Sequence, residues 1–499
     1  MFRLFNHIIL SLCLVIAMLS QTGCAKNEPL SPSLPEEDDS LLFETFTFEK
    51  RNNPFLKDDV VFDIQNNTIS GELKHYFYNA IPSFTTTAQT VEINELKQVS
   101  GSSIVDFSKG VSYSLKSATG TSKTYTVKVT WDDRLPQVSI TTDGQVSINS
   151  KQVYTSTKID IDGQQKYSDY TGTAKIRGRG NSTWTYPKKP YKIKLDSDSE
   201  ILGLAAEKDW ILLANYLDGT HLLNAVGMKI GQLLDMPFTN TIIPVEVELN
   251  GKFLGIFGLT EQIEVKKNRI NIGDDGLLLS LDTNFDEPWQ FQSAAFQLPV
   301  TIKYPKEMDA PRLQSIREEF EALEALIADT SFPDNNYLEY FDGNSLANYL
   351  IVYMLTNNEE INHPKSSYLY KTNEGKFTMG PIWDFDWGFS FEGTQVHFSS
   401  FACPLFWSPP RKGTRFFSKL LDDPKIRSLL KKNWASFQAN NRSTLYSYID
   451  EYAFFIEGAR ARDFGIWKRG KSDFDEEVAS LKEWLTSQEN YMNEFIGNL

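Results

Sequence analysis

The stretch PIWDFDWGF, residues 381–389, decides how this chain is interpreted, because it sets two acids among large apolar side chains. Asp384 and Asp386 stand two residues apart and are flanked by aromatic residues on both sides. Burying carboxylates in such surroundings is costly unless a partner compensates their charge. A divalent cation is the usual partner, and carboxylate oxygens suit Mg²⁺. The alternative is an aromatic core segment whose acids cap turns or pair with arginines.

A basic island precedes the acid pair in the chain, as RGRGNSTW at residues 177–184 and YPKKPYKIK at residues 186–194. Glycines that alternate with arginines let backbone N–H groups approach an anion, while the guanidinium groups add bidentate donors. The candidate anion-binding residues are Arg177, Gly178, Arg179, Gly180, Lys192 and Lys194. The island could hold the phosphates of a nucleotide. A solvated β-hairpin with a glycine-rich turn explains the same pattern equally well.

Two further polar stretches supply candidate site residues. NNEEINHPKS, residues 357–366, follows an apolar helical pattern and could present a general base, Glu360, and an amide metal ligand, Asn362. An ordinary loop at the end of a helix is the alternative. TEQIEV, residues 260–265, contains Glu261 and Glu264, either of which could pair with a lysine of the basic island. A capping or strand-edge role fits these two acids as well.

Composition limits the class of protein. The chain has 499 residues, 41% of them hydrophobic, which is enough for sizeable cores and excludes global disorder. The net charge of -15 argues against a nucleic-acid-binding protein. The sequence contains no G-x-x-x-x-G-K-[ST] loop, G-x-S-x-G, H-E-x-x-H or cysteine pair at metal spacing, which excludes the commonest hydrolase and zinc mechanisms as first hypotheses.

The N-terminus predicts export. Arg3 and the short apolar run at residues 8–19 are typical of a signal peptide, residues 1–23. Thr22-Gly23-Cys24 resembles a bacterial lipoprotein box, in which Cys24 is lipidated; a plain signal peptide is the alternative. Residues 24–40 then form a flexible tether. We therefore expect an exported protein, anchored through lipid on Cys24 to a membrane, namely the outer membrane or the cell surface.

Patterning divides the remaining chain into two predicted units. Residues 41–134 alternate apolar and polar positions between turn signals, which predicts a small β-sandwich of immunoglobulin type. Residues 135–499 are strand-rich at first and helical from Pro311 onward, which predicts an α+β fold with a strand-rich front lobe and a helix-rich rear lobe. Predicted helices are Leu222–Leu234, a segment from Pro311 in which Leu313 to Ile327 have helical spacing, Ser345–Asn357, Arg415–Asn440, Ser443–Ala459 and Phe474–Gly497. Predicted strands include Val60–Ile64 and Tyr191–Leu195, and the turn Asn250-Gly251 joins two more.

The stretches at residues 177–194, 210–216, 259–264 and 380–389 occur in an order that resembles the spore-coat protein H (CotH) kinase-like family. The resemblance runs from about Val138 to the C-terminus and implies an atypical, two-lobed protein-kinase-like body. It implies binding of ATP with Mg²⁺ or Mn²⁺, and phosphorylation of Ser or Thr on an exported or surface protein. Asp384 and Asp386 match the family's W-D-x-D motif, which implies that one of them, with Asp384 favoured, binds the metal.

The resemblance also implies roles for other residues. Glu360 falls near the family's usual acid ahead of the Tyr-x-Tyr strand, here Tyr368-Leu369-Tyr370, and Arg177, Arg179, Lys192 and Lys194 become phosphate contacts. The chain departs from the family pattern at Glu360, where Asp is common, and at Leu223, where Arg is frequent. These departures favour the alternative of a non-catalytic surface lipoprotein that serves as a binding scaffold. A third alternative is that the front module binds glycan or a partner protein and the rear lobe displays it.

Overall fold

The structure is a computed structural model that describes residues 40–54, 56, 58–74, 79–285 and 287–499. The predicted signal peptide, Cys24 and nearly all of the predicted tether lie outside the described residues. Within those ranges, no helix combines the length and the apolar character needed to cross a membrane.

The N-terminal unit is built from strands. Its two main sheets have the orders β2-β1-β6 and β3-β4-β11-β10-β7-β8, and β5 pairs with β9. The strands are β1 Phe43–Phe48, β2 Val60–Val61, β3 Asp63–Gln65, β4 Thr68–Leu73, β5 Asn79–Ala80, β6 Pro82–Thr86, β7 Thr90–Ile93, β8 Leu96–Lys97, β9 Val105–Asp106, β10 Val111–Lys116 and β11 Ser122–Trp131. Alternation along β10 buries one face of this strand, so that Tyr113 and Leu115 are fully buried in a hydrophobic core that belongs to this unit.

One strand prediction in this unit needs correction. The run Val60-Val61-Phe62-Asp63-Ile64 was predicted to be a single strand, but it divides into β2 and β3, which belong to different sheets. Phe62 lies between them and is buried. The immunoglobulin-type identity of the unit stays a prediction.

The second unit is a closed barrel with the strand order β12-β13-β14-β15-β16-β18-β17. Its strands are β12 Gln137–Thr142, β13 Thr155–Asp162, β14 Tyr170–Gly178, β15 Tyr191–Ile201, β16 Leu204–Leu213, β17 Ile243–Leu249 and β18 Lys252–Glu261. Parallel pairing of β12 with β17 closes it, and the other neighbours are antiparallel. Asn250 and Gly251 both have left-handed backbone angles, which suit the tight hairpin predicted between β17 and β18.

A five-stranded sheet, β20-β21-β19-β22-β23, and most of the helices form the rest of the chain. The strands are β19 Leu277–Leu281, β20 Gln290–Gln292, β21 Pro299–Tyr304, β22 Ser367–Lys371 and β23 Thr378–Met379. The helices are α1 Leu223–Leu233, α2 Ala310–Ala328, α3 Gly343–Leu355, α4 Phe391–Thr394, α5 Lys412–Leu420, α6 Pro424–Asn440, α7 Arg442–Trp467 and α8 Phe474–Asn498. The architecture is therefore α+β, as the sequence predicts.

The helix predicted over Arg415–Asn440 is two helices, α5 and α6. Asp423 caps the start of α6 through a hydrogen bond from the Lys425 N–H, and Pro424 occupies the first helical turn. Proline there cannot continue the preceding helix, but its fixed φ suits a new one. The break separates α5, which lies beside the candidate site, from the α6–α8 bundle.

A buried ion pair joins the barrel to the helices. Lys188, between β14 and β15, is 2% exposed, and its Nζ donates to the carboxylate of Asp463 on α7 and to the Ile256 carbonyl oxygen, both at 2.6 Å. His221 contacts the other oxygen of the same carboxylate at 3.2 Å. The charges of His221 and Lys188 lower the pKa of Asp463 far enough to overcome its burial. This junction fixes the basic segment of the chain against α7.

Candidate active site

The acid pair lies in a tight turn that follows β23. Asp384 has a left-handed backbone (φ 65°). The buried side chain of Asn224, on α1, forms hydrogen bonds with this turn. The amide oxygen of Asn224 accepts the Phe385 N–H at 3.0 Å, and its amide nitrogen donates to Asp386 at 2.6 Å. Asn224 therefore determines how the two carboxylates are presented.

The short 3₁₀ turn Glu359–Asn362 lies against the acid pair. Asn358 begins this turn by accepting the Glu360 N–H at 3.3 Å, and its amide nitrogen donates to the Asp384 carbonyl oxygen at 2.8 Å. Glu360 itself is 6% exposed. One asparagine thus ties the predicted general base to the predicted metal-binding turn.

The basic island reaches the acid pair through Arg179. The guanidinium of Arg179 lies over the Trp383 ring, 5.3 Å from its centroid. Burial lowers the pKa of Arg179, while the nearby charges of Asp384 and Asp386 raise it. The fold therefore brings one arginine of the island into the electrostatic field of the two aspartates, although the two segments are about two hundred residues apart.

The acids of the site repel one another. Burial, and next the charge of Asp384, raise the pKa of Glu360 well above its usual range. The same two causes raise the pKa of Asp386 to about 7. Burial also raises the pKa of Asp384; Arg179 opposes this rise and Asp282 adds to it. The cluster is therefore short of positive charge, as expected of carboxylates that accept a cation.

Two charged members of this cluster were missed by sequence reasoning. Asp282 follows β19, and its charge raises the pKa of Asp384 and of Glu360. Lys365 lies 3.8 Å from Glu360 and 4.4 Å from the centroid of the Trp387 ring. The available signal for Asp282 was its position directly after the buried run LLLSL, and for Lys365 its place in the polar stretch 357–366.

The glycine-rich turn does not offer its first N–H groups to an anion. The Gly178 N–H donates to Ser150 at 2.8 Å, and the Arg179 N–H donates to Pro190 at 3.2 Å. A Cβ on Gly178 would lie 2.2 Å from the Trp184 ring, so this glycine is required for packing. Gly180 has a left-handed φ of 81°. The predicted backbone contact of Gly178 with phosphate therefore needs correction: its hydrogen is already donated within the protein.

Arg177 is directed elsewhere than Arg179. Its guanidinium donates to the Lys151 carbonyl oxygen and lies 4.9 Å from the centroid of the Tyr154 ring. Arg177 lies on β14, whereas Arg179 directly follows the end of this strand at Gly178, and of the two only Arg179 extends to the acids. The role predicted for Arg177 as a phosphate contact has no support from these contacts.

Lys192 belongs to an ion-pair chain on the outside of the barrel. It pairs with Asp209 at 2.9 Å, and Lys266 bridges Asp209 at 3.5 Å to Glu264 at 3.2 Å. The acid that pairs with Lys192 is thus Asp209, whereas the sequence suggested Glu261 or Glu264. Lys194 is exposed on the same strand.

Glu261 also departs from its predicted partner. Its carboxylate accepts the Thr241 N–H and the Thr260 hydroxyl, both at 3.1 Å. It thereby closes the loop before β17, which is the capping role that was the alternative interpretation.

Asn362 has no free donor or acceptor for a metal. Its amide oxygen accepts the Trp407 N–H at 3.0 Å and the Thr414 hydroxyl at 2.7 Å. Its amide nitrogen donates to the Glu359 and Leu405 carbonyl oxygens, both at 2.8 Å. Both lone pairs and both hydrogens are used. The predicted metal ligation needs correction, because Asn362 instead joins α5 to the turn that carries Glu360.

The donors that remain suit a shared magnesium site. In the part of the chain that the structure describes, no group of three or more His, Cys, Asp or Glu is arranged to enclose a metal. Mg²⁺ is commonly held by one or two carboxylates together with phosphate oxygens, and does not require such a cage. Asp384 and Asp386 provide hard oxygen donors with raised pKa values, which fits this mode.

Comparison with known proteins identifies the family of the chain. The family described as CotH kinase protein matches residues 176–492, which is well over half of the chain. No curated protein matches the chain. A solved structure titled as the Shewanella oneidensis MR-1 toxin–antitoxin system HipA, HipB and its operator DNA complex is 14% identical. The likeness covers 59% of this chain and only 60% of that chain, and its TM-score of 0.25 carries no argument about fold.

The α+β fold and the family match define a kinase-like protein. The chain belongs to the CotH kinase protein family.

Proposed function

We propose that the protein transfers the γ-phosphate of ATP to Ser or Thr residues of exported proteins in a Mg²⁺-dependent reaction. The observation that carries this proposal is the approach of Arg179 to Asp384 and Asp386 over the Trp383 ring. Phosphoryl transfer requires cationic groups for the phosphate oxygens and acids for the metal within one cavity. This approach brings both kinds of group together from distant parts of the chain.

Asp384 and Asp386 would hold Mg²⁺, and Arg179 would bind phosphate oxygens. Bound ATP and Mg²⁺ would supply the phosphoryl group and neutralise the charge that develops during its transfer. Asn224 keeps both aspartates in position through its hydrogen bonds to Phe385 and Asp386. Because these hydrogen bonds originate on α1, the acid pair is positioned before any ligand arrives.

Glu360 would take up the proton of the acceptor hydroxyl. A base works best when its pKa lies near the working pH, and burial together with Asp384 raises the pKa of Glu360 well above its usual range. Lys365, 3.8 Å away, can stabilise the carboxylate before the proton arrives. Glutamate at this position therefore retains the chemistry of the aspartate that is common in the family.

The alternative function is a non-catalytic scaffold. One argument for it was that Leu223 replaces an arginine that is frequent in the family. The Leu223 side chain is completely buried in the main core, and its N–H donates to Asp218 at 2.9 Å. The residue begins α1 and helps to place Asn224. Its replacement of the more frequent arginine thus has a packing explanation that does not require loss of catalysis.

A transfer assay separates the two functions. Purified protein with ATP and Mg²⁺ or Mn²⁺ should transfer labelled phosphate to itself or to an added protein. Asp384→Asn should abolish transfer, whereas Glu451→Gln, which changes a buried acid on α7 away from the site, should retain it. Nucleotide binding without transfer in the unaltered protein would favour the scaffold. Absence of both would overturn the proposal.

We also propose that lipid on Cys24 anchors the protein to the outer membrane or cell surface, and that residues 41–134 act as an immunoglobulin-like spacer. The separate hydrophobic core of these residues supports the spacer role. Lys166 on the barrel donates to the Asp132 and Arg134 carbonyl oxygens, which fastens the connection between the two units. Cys24→Ser should abolish incorporation of labelled fatty acid and move the protein to the soluble fraction; unchanged labelling would exclude Cys24.

A further inference from the structure

A pocket of about 400 Å³ lies beside the acid cluster, between the loop after β19 and the start of α5. We propose that this pocket binds an acidic side chain of the protein that is phosphorylated. The inference rests on the proposed kinase function and adds to it the class of acceptor.

The lining of the pocket is basic, although the whole chain carries a net charge of -15. His363, Arg411 and Lys412 supply its basic groups and Phe285 and Pro299 its apolar part, and among the described residues no Asp or Glu lines it. Among the described residues, neither Arg411 nor Lys412 forms an ion pair. Arg411 also begins α5 without a side-chain cap, so the positive end of the helix dipole adds to the potential.

An aromatic ring holds two of the basic side chains in place. Trp407 stacks on His363 with ring centroids 5.3 Å apart and an interplanar angle of 14°, and Arg411 lies 5.9 Å from the Trp407 ring. Glu392 contacts His363 at 2.6 Å from the side of α4. The Trp407 indole N–H donates to Glu359 at 2.9 Å, and the Trp407 backbone N–H donates to Asn362 at 3.0 Å. These ring and ion-pair contacts among half-buried and exposed side chains orient His363 and Arg411 toward the pocket.

Both walls of the pocket continue into the acid cluster. Thr283 lines the pocket and directly follows Asp282, and its N–H donates to the Pro364 carbonyl oxygen at 3.0 Å. His363 lies two residues before Lys365, the lysine beside Glu360. An acidic residue bound in the pocket would therefore place a neighbouring hydroxyl residue of the same chain close to Glu360.

Two observations favour an acidic peptide over other occupants. No residue of the Arg177–Gly180 turn lines this pocket, so it is separate from the side where Arg179 would contact the nucleotide. A second groove, between α7 and α8, is lined by Asp450, Glu457, Asp475 and Glu483, with Lys482 as the single base among its lining residues. That groove would repel an acidic segment, so the two surfaces are expected to discriminate by charge.

The test measures peptide binding without nucleotide, so that it does not depend on catalysis. Two fluorescein-labelled peptides carry one central Ser flanked by Glu or by Lys, and fluorescence anisotropy with the full chain gives their Kd values. The Glu peptide should bind more tightly. Arg411→Glu/Lys412→Glu should weaken it about tenfold or more and reverse the preference. The control Lys431→Glu/Lys432→Glu makes the same charge change on the exposed face of α6 and should leave Kd unchanged.

The outcomes separate this inference from the proposed function. With ATP and Mg²⁺, the Arg411→Glu/Lys412→Glu protein should show a raised KM for the Glu peptide. Selective binding of the Glu peptide without any phosphate transfer would support the pocket and refute the kinase function. Equal binding of both peptides, unchanged binding by the folded double variant, or displacement of the Glu peptide by ATP alone would overturn the inference. The thermal transition of each variant verifies folding.

Discussion

Asp386→Asn should stabilise the metal-free protein while it removes the response to Mg²⁺. Asp386 accepts a hydrogen bond from Asn224 at 2.6 Å, and an amide oxygen at position 386 can accept the same bond. What the substitution removes is a negative charge that burial and Asp384 make unfavourable. A residue whose loss harms function but improves stability is the signature of a carboxylate retained for a ligand.

The size of the effect follows from the pKa of Asp386. A rise from the usual 3.8 to about 7 corresponds to about 4 kcal/mol, at about 1.4 kcal/mol for each unit. This value is an upper limit, because Asp386 titrates together with Asp384 and part of the shift belongs to the pair.

The sign of the pH dependence is set by the direction of the same shift. Between about pH 4 and pH 7, the unfolded chain binds fewer protons at this position than the folded protein, so rising pH lowers the free energy of unfolding. Below that window both states are protonated and the effect disappears. Urea unfolding with EDTA should therefore show wild type losing stability from pH 4 to pH 7. Asp386→Asn should lose less, and the difference between the two proteins should be largest above pH 7.

The control for this experiment is Glu451→Gln. Burial raises the pKa of Glu451 to about 7 as well, but this residue lies on α7, away from the site. Its substitution should reduce the same pH dependence and leave the stabilisation by Mg²⁺ intact. If Asp386→Asn lowers stability above pH 7, or if Mg²⁺ stabilises it as much as wild type, the reasoning about a cation-accepting acid pair is wrong.

Three further experiments test the supports of the site, and each compares variants by equilibrium urea unfolding. Asn224→Ala should cost about 1–3 kcal/mol, because it leaves buried polar groups of the acid turn without partners; a neutral result would remove its positioning role. Gly413→Ala brings a Cβ within 1.9 Å of a backbone carbonyl oxygen and should cost about 1–3 kcal/mol, whereas Gly465→Ala, with open space around it in α7, should gain about 0.5–1 kcal/mol. Lys188→Met should cost about 3–5 kcal/mol by leaving Asp463 short of charge, and much less in an Asp463→Asn background; equal costs would show that the ion pair is not the cause.

The sequence pattern was sufficient to predict secondary structure where the pattern repeats within one segment of the chain. The strand alternation of Tyr191–Leu195, the helical spacing from Leu313 to Ile327 and the turn at Asn250-Gly251 are all found in elements of the predicted type. Closure of β12–β18 into a barrel was not predictable in this way. It depends on the parallel pairing of β12 with β17, between residues more than a hundred positions apart.

In the candidate site, too, some residues could be recognised from the local sequence and others only from the tertiary fold. Its acids were visible because charges within an aromatic run, as at Asp384 and Asp386, have few structural explanations. The partners of Asn362 were not visible, because they come from Trp407 and Thr414, which only the tertiary fold brings near. An amide that completes a packing network has the same local sequence context as one that binds a metal.

The corrections at the glycine-rich turn change how anion binding should work. Because the N–H groups of Gly178 and Arg179 already donate to Ser150 and Pro190, the turn can act as a rigid support that presents a guanidinium group. Packing of Gly178 against Trp184 explains why a glycine is needed there without any ligand. Attraction of a nucleotide would then depend on the side-chain charge of Arg179 and on a cation held by the two aspartates. It follows that a substitution of Arg179 that removes its charge should cost more affinity for ATP than a backbone-altering substitution at Gly178 that leaves the protein folded.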